Sequence, residues 1–464
     1  MSSLKQSGTS RRRFLMATLQ AGGAGLALPE ILRLRAAAAE SGTLPPDTSV
    51  IQIWLGGGPS QFETFDPKPD APVEIRGPYD AIDSRLPGAK VCGMMPLTAQ
   101  VLDRTSILRG FTHPYDDHFG VTRWCLAGRK EPDNANAYPS VGSIASRFRG
   151  ARQQGMPPYV MLSEEPVLHH HLFDAMGPGY LGVAHAPFPV MQDPYPFDFQ
   201  HDRLKSATGS LKLADDVTLD RIGDRKSLLS ELDRLPRQYD AKAAQDGLDP
   251  FAKLALELVT SSKARRAFDL NEETAATRER YGTHRWGQMA LLARRLVESG
   301  VTFVTINTAP DCLRWDWHVS VTRENREQPS PGGPNVGMEW SGPPLDRALS
   351  ALITDLTERE ACRNVLLLVW GEFGRSPRIN ATGGRDHWPK LGSVLMAGGG
   401  IKTGQIIGAS TADGGLPADR PVGPSDVLAT VYRHLGIDPN LNANNLLGRP
   451  IPLLPDGKVI DELF

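Results

Sequence analysis

The chain is poor in cysteine, in charge of one sign and in long apolar runs, and each shortage removes a class of protein. Its 464 residues hold four cysteines, Cys92, Cys125, Cys312 and Cys362, with no C-x-x-C spacing. That removes the paired-cysteine metal and redox motifs. In an exported protein these four allow three full disulfide pairings, among which the sequence does not choose, and buried free thiols are the other reading. Lys and Arg number 51 against 53 Asp and Glu, a formal net charge of −2, so no basic surplus points to nucleic acid. Beyond the N-terminus no stretch approaches the roughly 20 apolar residues needed to cross a bilayer, so the mature protein is expected to carry no transmembrane segment. No internal repeat or long low-complexity segment is present.

What is there is an ordinary globular composition with a distinctive start. Hydrophobic residues make up 40% and charged residues 22%, and 46 glycines with 38 prolines imply many ordered loops, where sites are commonly built. The length suits one large domain or two closely joined ones. The opening "SRRRFLMATLQAGGAGLALPEILRLRAAAAE" sets Ser10, Arg11 and Arg12 just before Phe14 and Leu15. A mildly apolar Gly/Ala stretch and a small-residue run ending near Ala39 follow. This is the form of a twin-arginine signal peptide, residues 1–39, which implies passage through the twin-arginine export machinery to the periplasm or beyond. That route carries folded proteins, so a cofactor can be loaded before export.

From about residue 45 the pattern alternates. "SVIQIWLGGG" reads as a buried strand from Ser49 to Leu55 stopped by glycine. "PLTAQVLDRTSILRGF" reads as a helix and then a short strand near Ser106 to Arg109, and "YVMLSE" near 159 as another strand. "RWGQMALLARRLVESG" has helical apolar spacing and a glycine stop, and leads into the strand "VTFVTINT", 301–308. "LDRALSALITDLTERE" then "NVLLLVWGEFG" repeats the unit, and "SVLMAGGG" with "SDVLATVYRHLGI" adds a last round. Helix and apolar strand in alternation predict an α/β fold: a doubly wound, mostly parallel sheet with helices on both faces. Ligands of such sheets bind beyond the carboxyl ends of the strands. The charged, helix-prone stretch at about 205–285 reads as a helical insertion in the domain spanning 45–464.

Polar residues just after the strands are therefore the candidates. "GGGPSQFETFDPKPD" offers Ser60, Glu63 and Asp66, a hydroxyl and two carboxylates suited to a hard or borderline cation; Ser60 with Glu63 equally fits a helix-capping box. In "DCLRWDWHVS", Asp316 and His318 are two apart, so in extended chain they leave one face and converge on one ion, or else form a hydrogen-bonded pair in an aromatic loop. "GEFGRSPRINATGGRDHWPK" offers Glu372, Asp386 and His387 as metal ligands, with Arg375 and Arg378 able to grip an oxyanion; a solvated turn with surface ion pairs is the alternative. The "HHH" at 169–171 has the composition of a metal tract but reads better as a loop at a pocket rim. In "DDHFGVTRWCLAGRK", His118 opens a helix-like run.

These stretches, with "GYLGVAHAPFPV", "WDWH" and "VLMAGGGIKTGQIIGAS", resemble the exported bacterial family catalogued as domain of unknown function 1501. That family is grouped with the alkaline phosphatase and sulfatase superfamily. The resemblance implies an alkaline phosphatase/sulfatase-like fold and metal-dependent hydrolysis of phosphate or sulfate esters. It places His118 where that superfamily has its nucleophilic Cys or Ser, so formylglycine chemistry is not expected. Where sulfatases carry an Asp-Asp pair after the first strand this chain has Gly56 to Gly58, leaving Glu63 or Asp66 to serve a second metal. Asp316, His318, Glu372, Asp386 and His387 correspond to the ligands of one divalent ion, with Ca, Zn and Mn all open. Arg375 then places the anion, aided by Ser60 and Arg378, and His118 acts as acid/base or as covalent nucleophile. The substrate implied is a small-molecule or carbohydrate anionic ester. An exported binding or scaffold protein that kept this fold without its chemistry is the alternative.

Overall fold

The computed structural model describes residues 47–129, 138–164, 175–192, 261–309, 314–319, 337–445 and 447–464. The signal peptide, the His tract at 169–171, Cys312 and most of the proposed helical insertion lie outside these residues. Of the insertion, two short helices are described, Ser262–Phe268 and Ala275–Tyr281.

An eight-stranded sheet organises the molecule. Its strands are β1 (Ser49–Trp54), β2 (Thr105–Phe111), β3 (Tyr159–Glu164), β4 (Phe188–Gln192), β5 (Phe303–Asn307), β6 (Val365–Trp370), β7 (Gly392–Gly398) and β8 (Gln405–Ile407). Their spatial order is β8-β2-β7-β6-β1-β5-β3-β4. Seven run parallel, and β7 alone runs antiparallel to its neighbours β2 and β6. The fold class is therefore the one expected, a doubly wound, mostly parallel α/β sheet.

Alternation along the central strands separates two cores. From β1, Ile51 and Ile53 pack with the apolar faces of α3 (Arg285–Glu298) and α4 (Met338–Glu358). Val50 and Trp54 turn the other way, toward α1 (His118–Ala127), α2 (Val141–Arg149) and α5 (Pro424–Leu435). Every residue of β1 and β6 is buried, which is why both read as near-continuous apolar runs. Gln52, at the centre of β1, is a polar residue enclosed with them.

Several local expectations are corrected. No helix starts at Ser60: it does bond Glu63, but within a series of turns over 61–65, so the pair is not a helix cap. The helix expected near 96 is a single turn, Pro96–Ala99, whose Leu97 and Thr98 amides donate to Asp346 of α4 at 3.0 and 2.6 Å. A side chain from another element supplies that cap, so local sequence does not reveal it. α4 starts earlier than its periodicity indicates, at Met338, and carries Pro343 and Pro344, each lacking the amide that would bond back along the helix. Cys92, Cys125 and Cys362 are buried free thiols. No described helix is long and apolar enough to cross a membrane.

Candidate metal centre at the carboxyl edge of the sheet

The loops that follow β1, β2, β5 and β6 all leave the carboxyl edge of the sheet, and β7 begins there because it is antiparallel. Candidate residues scattered through the sequence meet at this edge. α1 places His118 in its first turn, after the N-cap Asp117 accepts the Gly120 amide at 2.5 Å, and Gly128 closes the helix in the left-handed conformation. After β5, Trp315 and Trp317 are fully buried and stack at 5.4 Å, with Trp286 beyond at 5.9 Å from Trp315. This aromatic stack anchors the loop on both sides of Asp316, whose carboxylate faces the site. After β6, Glu372 follows at once, and Gly374–Arg375 pairs antiparallel with His387–Trp388, bringing His387 back over the edge.

Asp316 is the hub. His318 Nε2 lies 2.9 Å and His387 Nε2 3.2 Å from its Oδ1, and His118 Nε2 lies 3.4 Å from its Oδ2. His318 Nε2 and His387 Nε2 are themselves 2.9 Å apart. Ligand atoms of His118, Asp316 and His387 all lie within 4.8 Å of one another, a spacing that suits a metal ion. Arg375 donates to Asp316 Oδ1 from behind. Burial works against ionisation of Asp316, but the Arg375 charge and hydrogen bonds from the three histidines hold its pKa far below the usual carboxylate range.

The far nitrogens of the rings are tied down. His118 Nδ1 donates to Glu372 Oε1 at 2.6 Å, and Glu372 Oε1 also accepts the Gly57 amide at 2.8 Å. His387 Nδ1 donates to the Asp116 carbonyl at 2.7 Å. His318 Nδ1 faces Asp386 Oδ1 at 3.6 Å. Hydrogen-bonding one ring nitrogen fixes the tautomer and presents the other as a lone pair. Burial opposes a charge on His118, but hydrogen bonds to Asp316 and Glu372 and their charges outweigh it and raise its pKa to about 9. Below that pH, metal-free His118 carries a proton in the place a cation can take. Phe373 covers the cluster from one side, its ring centroid 5.1 Å from His118 and 4.6 Å from His387. Low dielectric on that side strengthens the charge interactions.

Two glycines make this packing possible. Gly58 has φ +78°, and a Cβ there would stand 2.5 Å from the Phe373 ring. Gly384 lets the loop before His387 pass the His318 carbonyl, where a Cβ would stand 2.2 Å away.

Other candidates have different places. Arg375, expected to grip an anion, is fully buried. Its guanidinium donates to the carbonyls of Gly57, Gly58 and Arg385 and to Asp316, so it secures the first glycine loop and the hub instead. Glu63 is enclosed in an ion pair with Arg385, with 2.8 Å between Oε1 and a terminal guanidinium nitrogen, and accepts from Ser60. Asp66 meets Lys68 at 3.0 Å and Arg109 at 3.3 Å and accepts from Ser410. Neither carboxylate joins the histidine cluster. Ser60 is buried against Glu63, so substrate does not reach it. Arg378 is exposed and lies 3.8 Å from Glu74, again apart from the cluster. Asp386 stands behind His318, in a supporting place rather than a ligand's. Glu372 supports His118 and is not one of the clustered ligand atoms. His118, read from sequence as the nucleophile position, is one of them. His113, which no sequence pattern singled out, bonds the Glu372 carbonyl at 2.6 Å; its signal was only its place just after β2.

Fold and site together define a doubly wound α/β protein with a histidine–carboxylate centre at the carboxyl edge of its sheet. The chain belongs to the family described as "Protein of unknown function (DUF1501)", whose sequence model matches residues 47–464. No curated protein matches it. Among solved structures it is similar to the phosphonate monoester hydrolase SpPMH from Silicibacter pomeroyi, at 12% identity over 89% of this chain and 76% of that one, TM-score 0.38. The lipoteichoic acid synthase LtaP from Listeria monocytogenes is 9% identical over 88% and 75%, TM-score 0.37. A 2-O GAG sulfatase is 11% identical over 89% and 73%, TM-score 0.32. Scores this low carry nothing about the chemistry of this site.

Proposed function

We propose that this protein is an exported, metal-dependent hydrolase of phosphate or sulfate esters, acting on a small-molecule or carbohydrate substrate. One observation carries the reading: imidazole Nε2 atoms from loops after β2, β5 and β6 gather around the single carboxylate of Asp316. If His318 and His387 each bear their proton on Nδ1, two lone pairs face each other across 2.9 Å, a repulsive contact that a cation relieves. The residues present thus fit a divalent ion, which His118, Asp316 and His387 would hold. Such an ion supplies Lewis acidity toward an ester oxygen. The chain's own residues hold the geometry: Glu372 orients His118, Arg375 fixes Asp316, and Phe373 keeps water from one side. The twin-arginine pattern of residues 1–39 supports export to the periplasm or outside the cell.

A non-catalytic exported binding protein is the second reading, and the enclosure of Arg375 favours it, because the arginine expected to hold the ester has no free donor face. Metal analysis of protein purified without chelator, followed by assays on aryl phosphates, phosphodiesters and aryl sulfates, separates them. Stoichiometric metal that is lost in Asp316→Ala, with turnover of one ester class, supports the hydrolase. Bound metal with no turnover supports the binding protein, and metal-free protein overturns the metal-centre reading.

A further inference from the structure

We infer that the centre takes one borderline transition ion of the zinc class, bound by three imidazole nitrogens and one carboxylate, with Glu372 outside the coordination sphere as a positioning residue. This rests on the metal-centre reading above and deepens it. The donor set decides the metal. His118, His318 and His387 all turn Nε2 toward Asp316, at 3.4, 2.9 and 3.2 Å from its oxygens. Imidazole suits zinc, copper, iron and nickel, whereas calcium and magnesium require oxygen donors, of which the cluster supplies one residue. The carboxylates that would make an oxygen-rich site are engaged elsewhere: Glu63 with Arg385, and Asp66 with Lys68 and Arg109. His318 thereby becomes a fourth ligand, half in the mouth of the site and backed by Asp386.

Glu372 has the geometry of an orienting group. Its Oε1 is occupied by His118 Nδ1 and the Gly57 amide, the arrangement of a carboxylate–histidine–metal triad. Its Oε2 is buried and finds no hydrogen-bond partner among the described residues.

The test is made on the full chain stripped of metal and titrated with Co²⁺, Zn²⁺, Mn²⁺ or Ca²⁺, reading visible cobalt absorption and competition. One equivalent of Co²⁺ should bind with the absorption of a nitrogen-rich, four- or five-coordinate site. Zn²⁺ should displace it and millimolar Ca²⁺ should not. His318→Ala should alter the cobalt spectrum. Glu372→Ala should weaken Zn²⁺ binding about 10–100-fold with the coordination spectrum retained. Glu372→Gln keeps an acceptor for His118 and should recover most of that loss, whereas an inner ligand would be lost equally in both variants. Circular dichroism of the metal-free variants checks that each is folded. Preference for Ca²⁺, or a cobalt spectrum that changes in both Glu372 variants, overturns this inference and leaves the metal-centre reading standing. Failure of the wild-type chain to bind any divalent ion overturns both.

Discussion

Replacing Glu63 by Gln distinguishes an enclosed structural ion pair from a metal ligand. Glu63 and Arg385 are 1% and 0% exposed, and the guanidinium meets the carboxylate through three hydrogen bonds of 2.8 to 3.1 Å. Arg385 also donates to the carbonyls of Ile75, Ser376 and Pro377 and lies 4.2 Å over the Phe62 ring. An exposed ion pair is worth about 0–1 kcal/mol, but a buried cation left without its anion costs about 3–5 kcal/mol. Glu63→Gln should therefore destabilise the fold by about 3–5 kcal/mol, two to three and a half decades in the folding constant. Urea unfolding followed by tryptophan fluorescence, in chelator so that metal plays no part, reads this as a lower midpoint at unchanged slope. Arg385→Met should cost a similar amount, and the double variant less than the two together, because neither then leaves a charge behind. The reasoning fails if Glu63→Gln unfolds at the wild-type midpoint in chelator but loses one equivalent of bound metal, the behaviour of a ligand.

Three further outcomes follow from the same packing. His118 has a folded pKa of about 9 against an ordinary 6.5, so its charge stabilises the metal-free fold fully below pH 6.5, and that contribution disappears as pH rises to 9. Metal must displace this proton, so affinity should rise over the same window, with proton release near pH 7.5 visible by calorimetry in buffers of different ionisation enthalpy; pH-independent affinity would contradict it. Gly58→Ala forces a side chain into a left-handed backbone against Phe373 and should cost about 1–3 kcal/mol. It should also weaken metal binding, because Phe373 packs on His118 and His387, and a variant with wild-type metal affinity would show that contact to be unimportant. Burial raises the thiol pKa values of Cys92 and Cys362 to about 12 and that of Cys125 well above its ordinary value. Site-resolved mass spectrometry should find all three unlabelled by a thiol reagent until the protein is unfolded, and rapid labelling in the native state would refute their enclosure.

The alternation of strand and helix was legible because each element's own period records what it must bury. β6 is apolar throughout, β1 and β5 are largely so, and α3 and α5 carry helical spacing with a glycine at or just past the end. The same logic placed Asp316, His318, Glu372 and His387 in segments that follow strands, since a parallel sheet delivers those segments to one edge; His387 itself lies in a short strand pair there. His318 reaches Asp316 through a turn rather than an extended strand, a detail that two-residue spacing leaves open.

What each charged side chain does at that edge was decided only by tertiary structure. Arg375 and Glu63 look like functional groups in isolation, but their partners lie far along the chain, Asp316 and Arg385. His118 and Glu372 are 254 residues apart yet share a 2.6 Å hydrogen bond. A carboxylate becomes a ligand, an orienting acceptor or half of an ion pair according to what faces it, and facing is a property of the folded chain. Composition and period therefore determined the sheet and the edge at which chemistry gathers. The division of labour among the residues gathered there follows from contacts that only folding brings into range.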